Sequence, residues 1–286
     1  SNISTNKKIT IKMPTEDVTL TANGTKIAKT IKVTFMRNLD SNDTTSATQT
    51  FTYGVAGQKF SDKGWTKEGY IQLGWSTDRN ATTRQYLTLS GVSNSWINTY
   101  SPKITLYAVW GTPYYINTTT NIKYATLNEA VAGSATGTTI KVLDNKEETI
   151  TATIPSNKNL TLALNGKTIT FNGKYNIYNQ GTLTITGSGK ITGKDKNTID
   201  NAGTLNVNMD NETSYNDGTG GIIANTWPRI TNTGIHAINS TGTVNINSGI
   251  VANEASADEI STSYTPYAIS SSGTLNIKGG IVRSIS

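Results

Sequence analysis

A nine-residue repeat in the second half of the chain decides its fold. It reads IYNQGTLTI at residues 177–185, IDNAGTLNV at 199–207, INSTGTVNI at 238–246 and ISSSGTLNI at 269–277. Each copy has an Ile four residues before a Gly, a Thr directly after that Gly, and aliphatic residues two and four positions beyond it. The spacing between copies varies, whereas the length of the repeat and the positions of its Ile, Gly, Thr and aliphatic residues stay constant. This pattern is typical of stacked coils with loop insertions.

The repeat predicts one short strand per coil. We expect its Gly to turn the chain at positive φ. The two aliphatic residues that follow then point to one side of the strand, and Thr or Asn points to the other. Stacked coils about 4.8 Å apart would join these aliphatic side chains into a continuous inner column. Residues 139–143 and 160–164 fit as earlier coils, whereas an antiparallel sandwich does not account for one sequence recurring in one register.

The composition also indicates an all-β protein with many turns. The chain has 286 residues, of which 50 are Thr and 31 are Asn, while hydrophobic residues make up 35% and charged residues 15%. Thr favours half-buried pleated surfaces, and Asn and Gly favour tight turns. The chain has no Cys, which excludes disulfides, thiolate metal sites and Cys nucleophiles.

The net charge of +6 is concentrated in the first part of the chain. Residues 1–111 hold 13 Lys and Arg against 7 Asp and Glu, whereas residues 112–286 hold 12 of each. The basic residues are scattered singly, so we predict no nucleic-acid partner. No apolar run reaches the roughly 18 residues that cross a bilayer, so we predict no direct membrane insertion. The basic first part suits acidic glycans or an anionic cell wall.

Residues 1–30 are predicted to be an extra strand pair or the tail of a preceding module, because apolar residues alternate on both sides of Pro14. Residues 31–111 form a second predicted unit that holds four of the five Trp residues. Large aromatic side chains supply much of the burial in so small a core. We expect Trp75 and Trp110 in that core, and we regard Trp65 and Trp96 as candidates for exposure.

The second unit resembles the Listeria–Bacteroides repeat, a small β-grasp-like module of bacterial surface proteins. The resemblance rests on VTF at 33–35, Tyr53-Gly54, GYIQLGWSTD at 69–78 and ITLYAVW at 104–110. Two connections, at 37–49 and 85–102, are longer than the family usually has. The resemblance implies a β-grasp-like fold and the role of a spacer or interaction module.

A short helix is predicted at the start of the third unit, residues 112–286. Thr126 and Glu129 match a capping box, and the apolar residues that follow share one helical face. Such a helix would cover the open end of the first coil and prevent edge pairing there.

The third unit resembles pectate-lyase-like β-helices in surface proteins of Gram-positive bacteria. The matching signatures are Tyr-x-Thr-Leu-x-Glu-Ala at 124–130 and Leu-x-Leu-Asn-Gly-Lys at 162–167. The resemblance implies a right-handed parallel β-helix with a short N-terminal capping helix. Residues 281–286 stop within a coil, so we expect the natural protein to continue, with any covalent or cell-wall anchor outside this part.

Enzymatic activity is disfavoured by the pattern of acidic residues. Folds of this kind host polysaccharide lyases and glycosidases, but fold alone does not establish function. Asp195 and Asp200 flank one repeat, and no acidic residue recurs at the same position of successive coils. His236 is the only His, which excludes a multi-His metal site and a His-based triad.

Ca²⁺ is the one cofactor that the sequence suggests. Asp210, Glu212 and Asp217 supply oxygen ligands within one short segment, DNETSYND, without the fixed spacing of an EF-hand loop. An ordinary turn rich in Asn and Asp accounts for the same residues.

Two inserted loops are the predicted ligand-binding sites, because loops on a rigid solenoid can vary without disturbing the core. They span residues 208–236 and 252–267. The candidate contact residues are Tyr215, Trp227, Arg229, Tyr264 and Tyr267.

These observations predict a non-enzymatic, extracellular protein of the bacterial surface or cell wall. Its predicted role is that of an adhesin or stalk that binds glycans or surface proteins of a host or neighbouring cell. A spacer without a ligand and a carbohydrate-active enzyme are the alternatives. A flat face bearing Thr would also suit ice binding, an interpretation weakened by the mixing of Thr and Asn in TLT, TLN and TVN.

Overall fold

Strands are the main regular secondary structure, at 48% against 6% helix, and parallel sheets dominate the second half of the chain. The computed structural model describes Thr15 and residues 28–194, 196–212, 219–226, 235–254 and 267–284. The strand pair expected near the start of the chain lies outside this part, apart from Thr15. The prediction of a mainly β protein is confirmed.

The first sheet has four strands, β1 (Thr30–Met36), β2 (Ser46–Thr52), β3 (Ile71–Ser76) and β4 (Lys103–Gly111), in the order β2-β1-β4-β3. Its two central strands, β1 and β4, run parallel, and each edge strand pairs antiparallel with its neighbour. Burial alternates along β1, where Ile31, Val33 and Phe35 face inward. This alternation places one face of the sheet on a core and exposes the other.

Aromatic side chains fill that core. Trp75 is fully buried, as predicted, and its ring centroid lies 4.6 Å from that of Phe35. Trp110 is half-buried and donates its indole N–H to the carbonyl oxygen of Arg37 at 2.9 Å. Trp65 and Trp96, the candidates for exposure, are both half-buried and pack against the same core. The connections that hold them therefore fold back over the sheet.

A short helix that the sequence did not indicate lies in one of these connections. This helix, α1 (Asn94–Tyr100), begins where the Ser93 side chain accepts a hydrogen bond from the Trp96 backbone N–H. Its fully buried residue is Ile97. A helix of seven residues contains too few apolar residues for a helical period to be recognised in the sequence.

Three sheets build the second part of the chain. The eight-stranded sheet contains β5 (Tyr115–Asn117), β6 (Lys123–Tyr124), β7 (Thr138–Val142), β10 (Asn159–Ala163), β13 (Thr182–Gly187), β16 (Thr204–Met209), β19 (Thr243–Ser248) and β22 (Thr274–Ile277). The six-stranded sheet contains β8 (Lys146–Glu148), β11 (Lys167–Phe171), β14 (Gly189–Gly193), β17 (Gly221–Asn225), β20 (Ile250–Asn253) and β23 (Ile281–Ser284). The five-stranded sheet contains β9 (Ala152–Ile154), β12 (Ile177–Asn179), β15 (Ile199–Asn201), β18 (Ile238–Ser240) and β21 (Ile269–Ser271).

From β7 onward each strand pairs in parallel with the strand three later in the chain. The chain thus visits the three sheets in turn and returns to the first after every third strand. At the start of this part, β5 pairs antiparallel with both β6 and β7. The strands predicted at 139–143 and 160–164 are β7 and β10.

The repeat sets the register of these strands. Ile177 pairs with Ile199, which pairs with Ile238, and that residue pairs with Ile269. The aliphatic residue after the Gly forms a second column of partners, Leu183, Leu205, Val244 and Leu275. Both columns belong to one buried cluster except at its last strand, which is partly exposed. The predicted inner column is therefore present.

The expectation that the repeat glycines adopt positive φ is wrong. Gly181, Gly203, Gly242 and Gly273 are absent from the residues with positive φ. Each instead lies against the backbone of the preceding coil: a Cβ on Gly203 would sit 2.1 Å from the carbonyl oxygen of Gly181, and one on Gly242 would sit 2.1 Å from that of Gly203. Close stacking of backbones, and not turn conformation, requires glycine there.

The predicted short helix is present as α2 (Leu127–Gly133). The Thr126 side chain accepts from the Glu129 backbone N–H at 3.2 Å, as the capping box requires. Leu127, Ala130 and Val131 are its buried residues. The helix ends next to Lys158, whose ammonium group donates to the carbonyl oxygens of Val131, Ala132 and Ser134. Both ends of the helix are thus fixed by hydrogen bonds.

The last coil is more exposed than the others. Leu275 is 40% exposed and Ile277 is 55% exposed. Leu205 and Val207, at the same repeat positions two coils earlier, are fully buried. Among the described residues, no strand covers β22, β21 or β23 on this side.

Candidate ligand-binding groove

The outer face of the five-stranded sheet carries a polar groove. Its strands have three residues each, and the middle residue points outward because the flanking two are buried. The outward residues of successive strands are Thr153, Tyr178, Asp200, Asn239 and Ser270. A groove of about 380 Å³ lies over the centre of this row.

Asp200 is the hub of a hydrogen-bond network in this groove. Its carboxylate accepts from the side-chain amides of Asn176 at 2.6 Å, Asn197 at 2.8 Å and Asn239 at 3.4 Å. The Lys196 ammonium lies 3.6 Å from the same carboxylate. Charge-assisted bonds of this kind hold the amides in fixed orientations.

The orientation of the amides is set on their other side as well. The Asn176 side-chain oxygen accepts from the Thr151 hydroxyl at 3.4 Å, and the Asn197 side-chain oxygen accepts from the His236 backbone N–H at 2.7 Å. The amides therefore present N–H groups, and not oxygens, to Asp200. The Asp200 carboxylate thus accepts hydrogen bonds from several donors. Those donors occupy the positions that a metal ion would need.

Tyr178 lies beside Asp200 and is 37% exposed. Its hydroxyl accepts from the Gln180 side-chain amide at 3.3 Å, which fixes the ring at the edge of the groove. A tyrosine ring next to a carboxylate, an ammonium and several amides offers one apolar face and many hydrogen-bonding groups. That combination suits a ligand with both C–H surfaces and hydroxyl groups.

Buried amides make the floor of the groove rigid. The Asn179 side chain donates to that of Asn201 at 2.7 Å, and the Asn201 side chain donates to the Ser240 hydroxyl at 2.9 Å. These residues are the third positions of β12, β15 and β18 and are nearly inaccessible to solvent. They tie the three strands together directly beneath the outward row.

Catalysis receives little support from this arrangement. Hydrolysis of a glycosidic bond generally requires two carboxyl groups about 5–9.5 Å apart. Asp200 is the one carboxylate among the described residues that line the groove, and its oxygens already accept several hydrogen bonds. The described residues of the groove therefore supply hydrogen-bonding groups for binding and one carboxyl group.

The residues predicted from the loops are mostly outside the described part of the chain. The structure does not describe Tyr215, Trp227, Arg229, Tyr264 or Asp217. Tyr267 is described, is 58% exposed, and stacks on His236 with ring centroids 5.9 Å apart. His236 is largely buried, which lowers its pKa, and its Nδ1 accepts from the Tyr267 backbone N–H at 3.2 Å.

Two of the three candidates for Ca²⁺, Asp210 and Glu212, are described. Glu212 pairs with Arg283 at 3.7 Å, and Asp210 is exposed. Within the described residues, no group of three or more potential ligands could hold a metal ion. The prediction for Asp210, Glu212 and Asp217 together remains a prediction, because Asp217 is not described.

A second groove of about 500 Å³ lies where the eight-stranded and six-stranded sheets meet, and Gly166, Gly189 and Gly220 form much of it. Its cation, Lys190, is 2.6 Å from the Glu254 carboxylate. It contains no aromatic ring among its described lining residues. The Asp200 groove is therefore the better candidate.

Sequence reasoning missed this groove, although it noted Asp200. The available signal was the second position of the repeat, where Tyr178, Asp200, Asn239 and Ser270 differ while the flanking positions hardly change. The fourth position of the repeat also differs between copies, as Gln180, Ala202, Thr241 and Ser272, so this variation does not by itself single out the groove.

No family model, curated protein or solved structure matches this chain. In the part of the chain that the structure describes, no helix combines the length and apolar character needed to span a membrane.

Proposed function

We propose that this chain belongs to a non-enzymatic bacterial surface protein that displays a saccharide-binding groove on a rigid stalk. The observation that carries the proposal is the groove itself, in which Tyr178 borders a network of amides centred on Asp200. Aromatic faces pack against the C–H surfaces of sugars, and fixed amide and carboxylate groups bind their hydroxyls. The wider partner class is glycans or proteins of a host or neighbouring cell.

The proposed architecture is a β-grasp-like module followed by a right-handed parallel β-helix. The sheet order β2-β1-β4-β3 with a parallel central pair supports the first assignment. The pairing of each strand with the strand three later supports the second. Both assignments agree with the resemblance to the Listeria–Bacteroides repeat and to pectate-lyase-like surface proteins, which also supports an extracellular location.

The experiment is binding of the full chain to a glycan array, followed by calorimetry with the saccharide bound most strongly. We expect selective binding, and we expect Tyr178→Ala to weaken it at least tenfold, or by about 1.4 kcal/mol. The reason is that the variant removes the one aromatic face in the groove while leaving the Asp200 network in place.

Tyr53→Ala is the matched control, because Tyr53 is 44% exposed and lies in the first sheet region, far along the chain from the groove. It should bind as the parent does. Equal affinity of Tyr178→Ala and the parent would contradict the groove assignment. Absence of glycan binding by the parent would favour the spacer, for which the continuous parallel sheets are sufficient.

A further inference from the structure

The outer face of the eight-stranded sheet carries two rows of small polar residues. The first row consists of the Thr that follows the repeat Gly in each coil, namely Thr182, Thr204, Thr243 and Thr274. The second row lies two residues further along each strand and consists of Thr184, Asn206, Asn245 and Asn276. We call these two rows the Thr/Asn face.

The Thr/Asn face is regular in both directions. Within each row the residues are direct partners on neighbouring parallel strands, so they repeat at about 4.8 Å. Along each strand the two rows are about 6.6 Å apart, because alternate residues share a face. The one register shift in these strands falls after Val207 and so lies beyond both rows.

The mixing of Thr and Asn in the sequence is mainly a difference between the two rows, because only the second row contains both residue types. The first row is uniformly Thr over four strands, and the second is Asn in the last three of its four. The objection that mixed residues weaken a periodic surface therefore does not apply to the first row.

A ladder of hydrogen bonds fixes the second row. The Asn276 amide donates to the Asn245 side-chain oxygen at 2.8 Å, and Asn245 donates to Asn206 at 2.8 Å. Asn206 donates in turn to the Thr184 hydroxyl at 3.3 Å. Each amide has two N–H groups, so each keeps one N–H directed away from the ladder at every step.

The eight positions carry no charged and no aromatic residue. A ligand of this face cannot be recognised by opposite charge or by ring stacking. What the face offers is a fixed two-dimensional array of hydroxyls, methyls and amide N–H groups. The complementary ligand is one whose own hydrogen-bonding groups form a lattice.

We propose that the Thr/Asn face binds ice. The hydroxyl and amide groups hold first-shell water molecules at repeating positions, and the Thr methyl groups limit the other arrangements those molecules can adopt. Because the ladder already fixes the second row and a Thr side chain has few rotamers, little additional side-chain entropy is lost on binding. This activity is separate from the saccharide groove, which lies on a different sheet.

The test is measurement of ice shaping and of thermal hysteresis with the full chain and with Thr204→Lys. Thr204 lies on β16, between β13 and β19, so a long charged side chain there interrupts the middle of the first row. We expect faceted ice crystals and a hysteresis gap with the parent, and loss of both with Thr204→Lys.

Two further variants keep the result interpretable. Thr170→Lys makes the same change at a half-buried outward position of the six-stranded sheet and should retain ice shaping. Tyr178→Ala should retain it too, so that failure of the saccharide groove and failure of the ice face are distinguishable. Thermal unfolding followed by circular dichroism shows that each variant is folded.

Rounded, freely growing ice crystals with the parent would overturn the proposal, as would a folded Thr204→Lys that shapes ice like the parent. Loss of activity in both Thr204→Lys and Thr170→Lys would also overturn it, because the effect would then follow charge and not the Thr/Asn face.

Discussion

Glu148 is an ionisable residue buried where α2 meets the first coils. It is 1% exposed, and one carboxylate oxygen accepts from the Tyr115 hydroxyl at 2.7 Å and from the Leu127 backbone N–H at 2.8 Å. The other oxygen has no hydrogen-bond partner among the described residues. Burial is the main cause that raises the pKa of Glu148, and the two hydrogen bonds oppose it in part.

The raised pKa makes stability depend on pH. The folded protein holds the Glu148 proton more tightly than the unfolded chain, in which a Glu has a pKa of about 4.3. The contribution of Glu148 to the free energy of unfolding therefore falls as pH rises from about 4 through the raised pKa and is level above it. Glu148→Gln keeps an oxygen that accepts both hydrogen bonds, so we expect it to remove this fall and to be at least as stable as the parent at pH 7.

Chemical denaturation between pH 4 and pH 8 measures this effect. Glu147→Gln is the control, because Glu147 is exposed and next in the chain. The lowered pKa of His236 makes stability rise with pH in the same range in both proteins, so the difference in unfolding free energy between the parent and Glu148→Gln isolates Glu148. A Glu148→Gln variant that keeps the pH dependence of the parent would contradict the assignment.

At the scale of single strands and turns, stacking distance governs which residues are allowed. Gly203, between β15 and β16, has ordinary φ but no room for a Cβ, since the carbonyl oxygen of Gly181 would be 2.1 Å away. We expect Gly203→Ala to cost about 1–3 kcal/mol of unfolding free energy or more, because the two coils must move apart. Denaturant unfolding measures it.

Gly91→Ala is a suitable comparison, because a Cβ there meets nothing within 4 Å and the residue also lacks positive φ. It should change stability by no more than about 0.5 kcal/mol. Similar stability changes in the two variants would contradict close stacking as the reason for the repeat glycines, because only Gly203 of the two lacks room for a Cβ.

The strands were predictable because equivalent positions of the repeat pair with one another, so the repeat itself gives the register. Ile177, Ile199, Ile238 and Ile269 occupy one position of the repeat and are partners in the structure. Helix α2 was predictable from its capping box. Helix α1 was not, since it is short and lacks a clear apolar period.

The Asp200 groove could not be predicted, because its residues come from different coils and turns. Asn176 and Asn197 precede their strands, and Asn239 lies 39 residues beyond Asp200 in the sequence. Only the stacking distance brings these amides to one carboxylate. The number of residues between coils does not reveal it, since the repeat spacing varies.

At the scale of the whole molecule, two hydrophobic clusters are distinct. One contains residues between Ile31 and Ala108, and the other contains residues between Tyr115 and Ala268. An ion pair between Arg84 and Glu129 links the two parts. Both side chains are about one-third exposed or less, so a pair of this kind contributes no more than about 1 kcal/mol. The division near residue 111 remains a prediction.

Differential scanning calorimetry of the full chain tests that division. We expect two transitions, with Trp75→Phe lowering the midpoint of one and Ile185→Ala lowering that of the other, because each residue is fully buried in a different cluster. Ile185→Ala should cost about 2–5 kcal/mol in its own part. A single transition lowered by both variants would mean that the two clusters unfold as one unit.

The pairing of each strand with the strand three later also determines how the protein responds to force. Hydrogen bonds between parallel strands of successive coils point along the direction in which the coils stack. A force along that direction acts on the hydrogen bonds between successive coils one coil at a time. The coils therefore separate in sequence and do not shear past one another. Because each coil contacts only its neighbours, tension along the stack would lengthen the protein by coil-sized steps while the remaining coils stay folded.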